Sequence, residues 1–507
     1  MNNYTIADVL RKTRTSPRVN KDRIAVHFGE RAITYEELDE RTDRLASGLM
    51  LAGFRKGDRV AVMMHNRPEW IEIFFALAKL GGVLVPVNHL LREREVEHIL
   101  GHSRAAWVIT EERFWSLYDG IRTEGDGRTY VTMDADADGA LSYENLISSG
   151  SRDVDVDVDV DDLFLLQYTS GTTGQPKGAM HTHSTVLWNS FYQLPEFGVT
   201  VDDVYLILPA LGWIAGFHDF ALATLWAGGQ LVLHPTGNFE AEDFATTVER
   251  YDVTVVLLVP TVLRRVLAYD ALEEHDLSSL RFILSGGEPV PVSDIHTLHE
   301  RLPSSRLQQA YGMSEFPTMM LWLSADDATT KAGSVGKACR AAEVRIVDET
   351  GADTAVDEVG EIICRSPACT VGYYLDEEAT AATLAGGWLH TGDLARVDAD
   401  GYVYITGRSK DMILTGGLNV YPVEIEQLIK ARPEVQEVAV IAVPDPQWGE
   451  IGKAIVVLNP GQELDEVTLL ASLKQDLATF KVPRIVEFTD TPLPRTMSGK
   501  VQKFKLS

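Results

Sequence analysis

The sequence predicts an α/β fold: a large N-terminal domain of mostly parallel sheets flanked by helices, with a small β-rich subdomain, followed by a small α+β C-terminal domain. Three observations predict it. From Leu163 to Gly312, strand-like apolar runs alternate with helical patterns, as in parallel sheets covered by helices. After Val335 the pattern changes to short strands and turns, and after Arg408 it changes again. The chain, at 507 residues, is also too long for one compact core. The boundary is drawn at 408/409, giving domains 1–408 and 409–507.

Taken in order, Thr34 and Glu37 have the spacing of a capping box and open a helix. Asp58–Met64 reads as a strand. Trp70–Gly82 reads as an amphipathic helix stopped by glycines, Val83–Pro86 as the next strand, Leu100–Ser103 as a solvated turn, and Ala106–Thr110 as a strand. The Asp-Val alternation of 153–162 has the period of a strand, but like charges on one face repel and aspartate is a poor strand former, so an exposed linker is expected. A calcium loop there lacks its turn glycine. Strands follow at 163–166, 204–208, 230–233, 253–259, 281–285 and 306–310, and a helix capped by Ser184 or Thr185 begins near His183. Ligands of parallel sheets bind beyond the carboxyl ends of strands. One sheet end is therefore expected to gather the segments after 163–167, 281–285 and 306–310. Beyond Arg408, the segments Met412–Leu414, Tyr421–Ile429, Val435–Val443 and Ala454–Leu458 read together as a compact α+β module.

The net charge is −28 and the pI about 4.8, which excludes nucleic acid and anionic membranes as partners, since both need basic surface. Three cysteines, Cys339, Cys364 and Cys369, make neither a disulfide framework nor a zinc site. No apolar run approaches the ~18 residues of a membrane span, no signal-peptide core opens the chain, and Lys505-Leu-Ser is not a peroxisomal address. A cytoplasmic location is expected, with no integral membrane segment. A homodimer is left open.

The densest stretch of chemistry is Tyr168-Thr-Ser-Gly-Thr-Thr-Gly-Gln-Pro-Lys177-Gly178. Glycines let backbone N–H groups turn towards an anion, hydroxyls add donors, and lysine adds a mobile charge. That is the chemistry of a polyphosphate cradle. It is not a Walker A loop, because Gly178 follows the lysine. Read alone, a flexible Gly/Thr surface loop is an equal alternative. The stretch resembles the signature of the adenylate-forming superfamily, in the acyl- and aryl-CoA synthetase branch. Gln309-Ala-Tyr-Gly-Met-Ser-Glu315, Gly387-Trp-Leu-His-Thr-Gly-Asp393, Gly401–Asp411 and Pro494-Arg-Thr-Met-Ser-Gly-Lys500 extend the resemblance in the family's order.

The resemblance implies ATP-dependent activation of a hydrophobic carboxylic acid to an acyl-adenylate, then thioester formation with coenzyme A and release of AMP. It implies ATP, Mg²⁺ and CoA as cofactor and co-substrates. Catalysis there is positioning and charge neutralisation, with no enzyme nucleophile. Thr169, Ser170, Gly171, Thr172, Thr173, Gly174 and Lys177 would wrap the pyrophosphate. Gly286, Gly287, Glu288, Tyr311, Gly312, Met313, Ser314, Asp393, Ile405 and Arg408 would hold the nucleoside and α-phosphate. Tyr311 would stack on adenine and Asp393 would take the ribose hydroxyls. Glu315 would hold Mg²⁺, Lys500 would serve adenylation, and Lys410 would be the hinge about which a mobile C-terminal domain turns. Gly416, Gly417, Trp448, Lys481 and Arg484 would meet CoA. Trp213, His218, Gly286, Gly312 and Met313 would line the acyl pocket. Singly, each has a plainer reading: Asp393 as a turn cap, Glu315 as an N-terminal helix charge, Lys500 as a surface lysine, and Trp448 and His218 as structural residues.

Three departures from the family pattern stand out. Gly212 replaces a usual histidine and is followed by Trp213, Ser314 replaces a threonine, and Glu288 stands where alanine is common. The rival reading is an adenylation enzyme loading an amino or aryl acid onto a carrier-protein thiol. An amino acid would need an acidic anchor, for which Asp219 is the nearby candidate.

Overall fold

The computed structural model describes residues 4–19, 22–122, 126–133, 139–169, 176–237, 239–416, 418–495 and 501–506. Contacts divide the chain into two units, Met1–Glu343 with Cys364–Leu389, and Val344–Ile363 with His390–Ser507. The junction expected at 408/409 falls inside the second unit.

The first unit holds two sheets. A seven-stranded sheet places Leu163–Thr169 beside the parallel strand Val83–Pro86 and ends on the antiparallel Lys177–Thr182. A nine-stranded sheet places Phe282–Gly286 parallel to Val255–Leu257 and to Arg306–Met313. The last strand runs further than 306–310 and returns antiparallel as Phe316–Leu323. Both sheets contain parallel strands read as unbroken apolar runs, because both faces are covered. Helices Ala241–Tyr251, Pro260–Leu267 and Val292–Arg301 bury Phe244, Leu263 and Ile295 on the nine-stranded sheet. Helix Glu93–Ser103 buries Val96, Ile99 and Leu100 on the other.

Several local expectations are corrected. Helix Pro68–Leu80 is not amphipathic: all but Lys79 of its residues are buried. A helix apolar all round belongs in an interior. Its two carboxylates are answered there, Glu69 by Arg31 and Arg67, and Glu72 by Arg41 and the Tyr143 hydroxyl. Leu100–Ser103 is the last turn of a helix rather than a solvated turn, with Leu100 and Ser103 buried. The helix after the cradle, His183–Phe197, is capped by Thr182, whose hydroxyl accepts from the Thr185 N–H, not by Ser184 or Thr185. Residues 153–160 form no strand, and their aspartates are exposed.

In the second unit, Glu343–Val347, Gly360–Arg365, Leu389–Val397 and Val403–Arg408 make a four-stranded sheet. A five-stranded sheet centred on Val435–Asp445 and Gly449–Leu458 packs Val440, Ala454 and Val456 against Ile425, Ile429 and Leu469 from two helices.

Candidate functional site

The cradle stretch sits at the carboxyl end of Leu163–Thr169, where a parallel sheet offers a ligand its open edge. The flanks pair up to the mouth of the turn, with Tyr168 opposite Gly178 and Thr169 opposite Lys177. A Cβ on Gly178 would lie 3.3 Å from the Tyr168 ring, so glycine lets the phenol lie across the hairpin. Ser170, Gly171, Thr172, Thr173 and Gly174 lie outside the described residues.

The three motifs do not share one sheet end, as expected from sequence. Gly286 and Ala310 are opposite each other in the nine-stranded sheet, whereas the cradle belongs to the seven-stranded one. What joins them is the segment 370–376. Thr370 N–H donates to the Glu315 carbonyl at 2.7 Å, and the Thr370 hydroxyl donates to the Met180 carbonyl at 2.8 Å. Met180 N–H donates to the Gly372 carbonyl at 2.8 Å, and Tyr374 N–H to the Gly178 carbonyl at 2.9 Å. Tyr373 Oη then donates to Glu315 Oε1 at 2.6 Å. Burial, reinforced by the Glu315 carboxylate, raises the Tyr373 phenol far above its ordinary value, so it stays a donor. His181, on the strand leaving the cradle, reaches the Ser314 carbonyl through Nε2 at 2.8 Å. Full burial lowers that imidazole to about 4, so it is a neutral donor. Sequence reasoning missed Thr370, Tyr373 and His181, because none lies in a stretch it treated as chemical.

Lys177 Nζ lies 3.0 Å from Asp376 Oδ2 and over the Tyr373 ring. Tyr311, Gly312, Met313 and Ser314 are half-buried and Glu315 is buried. Gly287 and Glu288 are exposed. Among the described residues no group of three His, Cys, Asp or Glu side chains could hold a metal. Glu315 offers a carboxylate, which fits a Mg²⁺ completed by phosphate oxygens and water.

Trp213 and His218 bracket the one-turn helix Ile214–Phe217. Trp213 is half-buried, and its indole N–H has no acceptor among the described residues. His218 closes the helix rather than starting one, and its carbonyl accepts from Asn189 and Gln193. Burial lowers its imidazole to about 3. The neighbouring Asp219 is buried, and desolvation raises its carboxyl well above the usual carboxylate range.

In the second unit, Asp393 and Arg408 face each other across paired strands, with Nε 2.9 Å from Oδ1. Asp393 therefore lies on a strand instead of capping a turn. Ile405 is half-buried on the strand that carries Arg408. Lys410 lies in the single turn Ser409–Asp411, and burial lowers its ammonium. Gly416, Trp448 and Arg484, expected on the CoA side, meet around a cavity of about 420 Å³ completed by Thr415, Leu418, Thr479 and Phe480. That volume is in the range of small-molecule sites. The Arg484 guanidinium stacks on Trp448 at 4.6 Å, and Gly416 N–H donates to the Trp448 carbonyl at 2.8 Å. Lys481 pairs with Glu424 at 2.7 Å. Gly417 and Lys500 lie outside the described residues. A second cavity, about 200 Å³, lies at the amino ends of strands in the first unit, beside Lys56, Arg59, Asp162 and Tyr374.

The AMP-binding enzyme family matches residues 13–374, and the AMP-binding enzyme C-terminal domain matches 424–500. A feruloyl-CoA synthase of an Amycolatopsis species is 39% identical over 494 residues, 97% of this chain and 96% of its own. An indoleacetate–CoA ligase of Aromatoleum aromaticum is 36% identical, over 94% of this chain and 93% of its own. A crystal structure of an anthranilate–CoA ligase with anthranoyl-AMP superposes with a TM-score of 0.87 at 30% identity, covering 99% and 96% of the two chains. This chain belongs to the AMP-binding enzymes, in the acyl- and aryl-CoA synthetase branch of the adenylate-forming superfamily.

Proposed function

We infer that this protein is an AMP-forming acid–CoA ligase. It condenses a hydrophobic carboxylic acid with ATP to an acyl-adenylate and pyrophosphate, then transfers the acyl group to the thiol of coenzyme A. The observation that carries this reading is the hydrogen-bonded segment 370–376, which ties the cradle hairpin to Glu315 through Thr370, Gly372, Tyr373 and Tyr374. A carboxylate is thereby fixed beside the flanks of a Gly/Thr-rich turn. That arrangement suits a triphosphate and its Mg²⁺, with Glu315 as the protein ligand. Thr169 and Lys177 would meet the pyrophosphate, Tyr311 the adenine, and Asp393 and Arg408 the ribose and phosphate side. Lys500 would serve adenylation and Lys410 the hinge. The cavity at Gly416, Trp448 and Arg484 supports a place for CoA, with a cation stacked on an indole ready for a nucleotide base or phosphate. A cytoplasmic location belongs to the same reading; among the described residues no helix is long and apolar enough to cross a membrane.

The acid we propose is a ring-bearing one with a hydrogen-bond acceptor on the ring, opposite the buried, unpaired indole N–H of Trp213. Relatives named for ferulate, indoleacetate and anthranilate support a ring. The rival amino-acid substrate is disfavoured because Asp219, the candidate anchor for its ammonium, is itself buried. The deciding experiment is a panel of aryl, alicyclic, aliphatic and amino acids with ATP, Mg²⁺ and CoA, reading pyrophosphate release and CoA consumption separately. Aryl acids should give both. Pyrophosphate release without CoA consumption for every acid would point to a carrier-protein thiol. Lys500→Ala should depress pyrophosphate release far more than thioester formation from supplied acyl-adenylate.

A further inference from the structure

Helix Glu93–Ser103 carries two histidines one turn apart, and both touch the hairpin that bears the cradle. Their rings stack with centroids 5.7 Å apart. His102 Nδ1 lies 2.7 Å from the Oη of Tyr168, which enters the turn. His98 Nε2 reaches the carbonyl of Pro176, which leaves it, at a long 3.4 Å. A carbonyl only accepts, so that nitrogen carries a proton. The Tyr374 ring lies edge-on to His102 at 6.0 Å, and Tyr374 N–H donates to the Gly178 carbonyl. One helix thus contacts both flanks of the cradle stretch, at Tyr168 just before Thr169 and at Pro176 just before Lys177, the two residues that pair across the hairpin.

We propose that His98 and His102 are positioning residues for the pyrophosphate portion of ATP, fixing Tyr168 and Pro176 to the helix and so setting Thr169 and Lys177 for the β- and γ-phosphates. The proposal rests on the reading that this turn receives the pyrophosphate. Ends fixed in advance leave less freedom to lose when the ligand arrives. The geometry of the two contacts, not a charge on His102, is what the proposal uses. Desolvation, His98 and Arg104 lower the His102 imidazole against the opposing pull of Asp376, and burial keeps the Tyr168 phenol protonated. Lys177, the cation at the cradle's mouth, is itself paired with Asp376.

The test is equilibrium binding of MgATP and of AMP to the full chain, wild type against His98→Leu, His102→Leu and His102→Asn, with melting temperatures alongside. His98→Leu and His102→Leu should each weaken ATP by about three- to tenfold, the scale of one lost hydrogen bond. AMP, which lacks the two outer phosphates, should change by less than about twofold on the same scale. His102→Asn, which keeps a hydrogen-bonding group, should recover part of the ATP affinity. His98 is half-exposed, so its variant serves should His102→Leu not fold. Equal weakening of ATP and AMP would reduce the pair to a structural role and overturn the proposal, as would ATP binding unchanged in both leucine variants. A wild-type chain that holds ATP no more tightly than AMP would overturn the placement of pyrophosphate at this turn, and the proposal with it.

Discussion

At the scale of single residues, the candidate site depends on side chains that act through one another. Tyr373 donates its hydroxyl to Glu315, and hydrogen bonds to charged groups contribute about 1.5–3 kcal/mol. Tyr373→Phe leaves the ring in place and removes that bond. We expect it to slow adenylation by roughly ten- to a hundredfold, since about 1.4 kcal/mol is a factor of ten, while thioester formation from supplied acyl-adenylate holds. ATP–pyrophosphate exchange measures the first and CoA consumption the second. Gly416 makes the converse case. Its φ is +57°, and a Cβ there would sit 2.8 Å from the Trp448 ring. Gly416→Ala should therefore raise the KM for CoA by roughly five- to a hundredfold, on the order of the 1–3 kcal/mol of overpacking, with pyrophosphate release unaltered. Unchanged CoA kinetics would remove Gly416 from the thiol side. The sequence singled out Glu315 and Gly416 because they sit in recognisable stretches. Tyr373 was invisible there, because it is 58 residues from its partner and nothing in its neighbours marks it.

At the scale of elements, local signals were legible where the chain satisfies its own backbone. Thr34 and Glu37 cap each other's N–H groups as their spacing indicates, with the Glu37 carboxylate 2.8 Å from the Thr34 N–H. Thr34→Ala should cost about 1 kcal/mol of stability, read as a lower denaturant midpoint at constant slope. An unchanged midpoint would mean that tertiary packing alone holds the seventeen-residue helix Tyr35–Leu51. Other elements were set by packing. Period alone made Pro68–Leu80 amphipathic, yet Glu69 and Glu72 go inside because arginines from elsewhere in the chain meet them. Leu100–Ser103 carries a glycine and a serine typical of turns, yet the buried Leu100 keeps it helical. That outcome places His98 and His102 on one face, a pairing that no sequence rule would have sought.

At the scale of the whole molecule, the first unit buries histidines that the unfolded chain would expose. Burial lowers His181 and His183 to about 4 and His218 to about 3, against an ordinary 6.5. Above pH 6.5 both states hold these rings neutral. Below it the unfolded chain binds protons that the folded chain refuses until about pH 4, so folding stability falls as pH falls through that window. Each ring contributes a slope of about 1.4 kcal/mol per pH unit. Unfolding titrations at pH 7, 6 and 5 should show a progressively lower free energy, and His218→Gln should make the fall shallower. A flat profile would mean that these rings are hydrated in the folded protein.

The amino-acid sequence by itself determined the alternation of strands and helices, the change of style near Val335 and Arg408, and the family to which the stretches around Lys177, Glu315, Asp393 and Arg408 point. Each of these is written in short contiguous stretches, where periodicity and residue type carry the information. Only the tertiary structure decided that the cradle and the Gly286 and Tyr311 motifs belong to two sheets, that segment 370–376 connects them, and that Asp219 is buried. Those outcomes depend on which distant groups share a desolvated space, and hydrogen bonding and burial between residues far apart leave no pattern in the order of the chain.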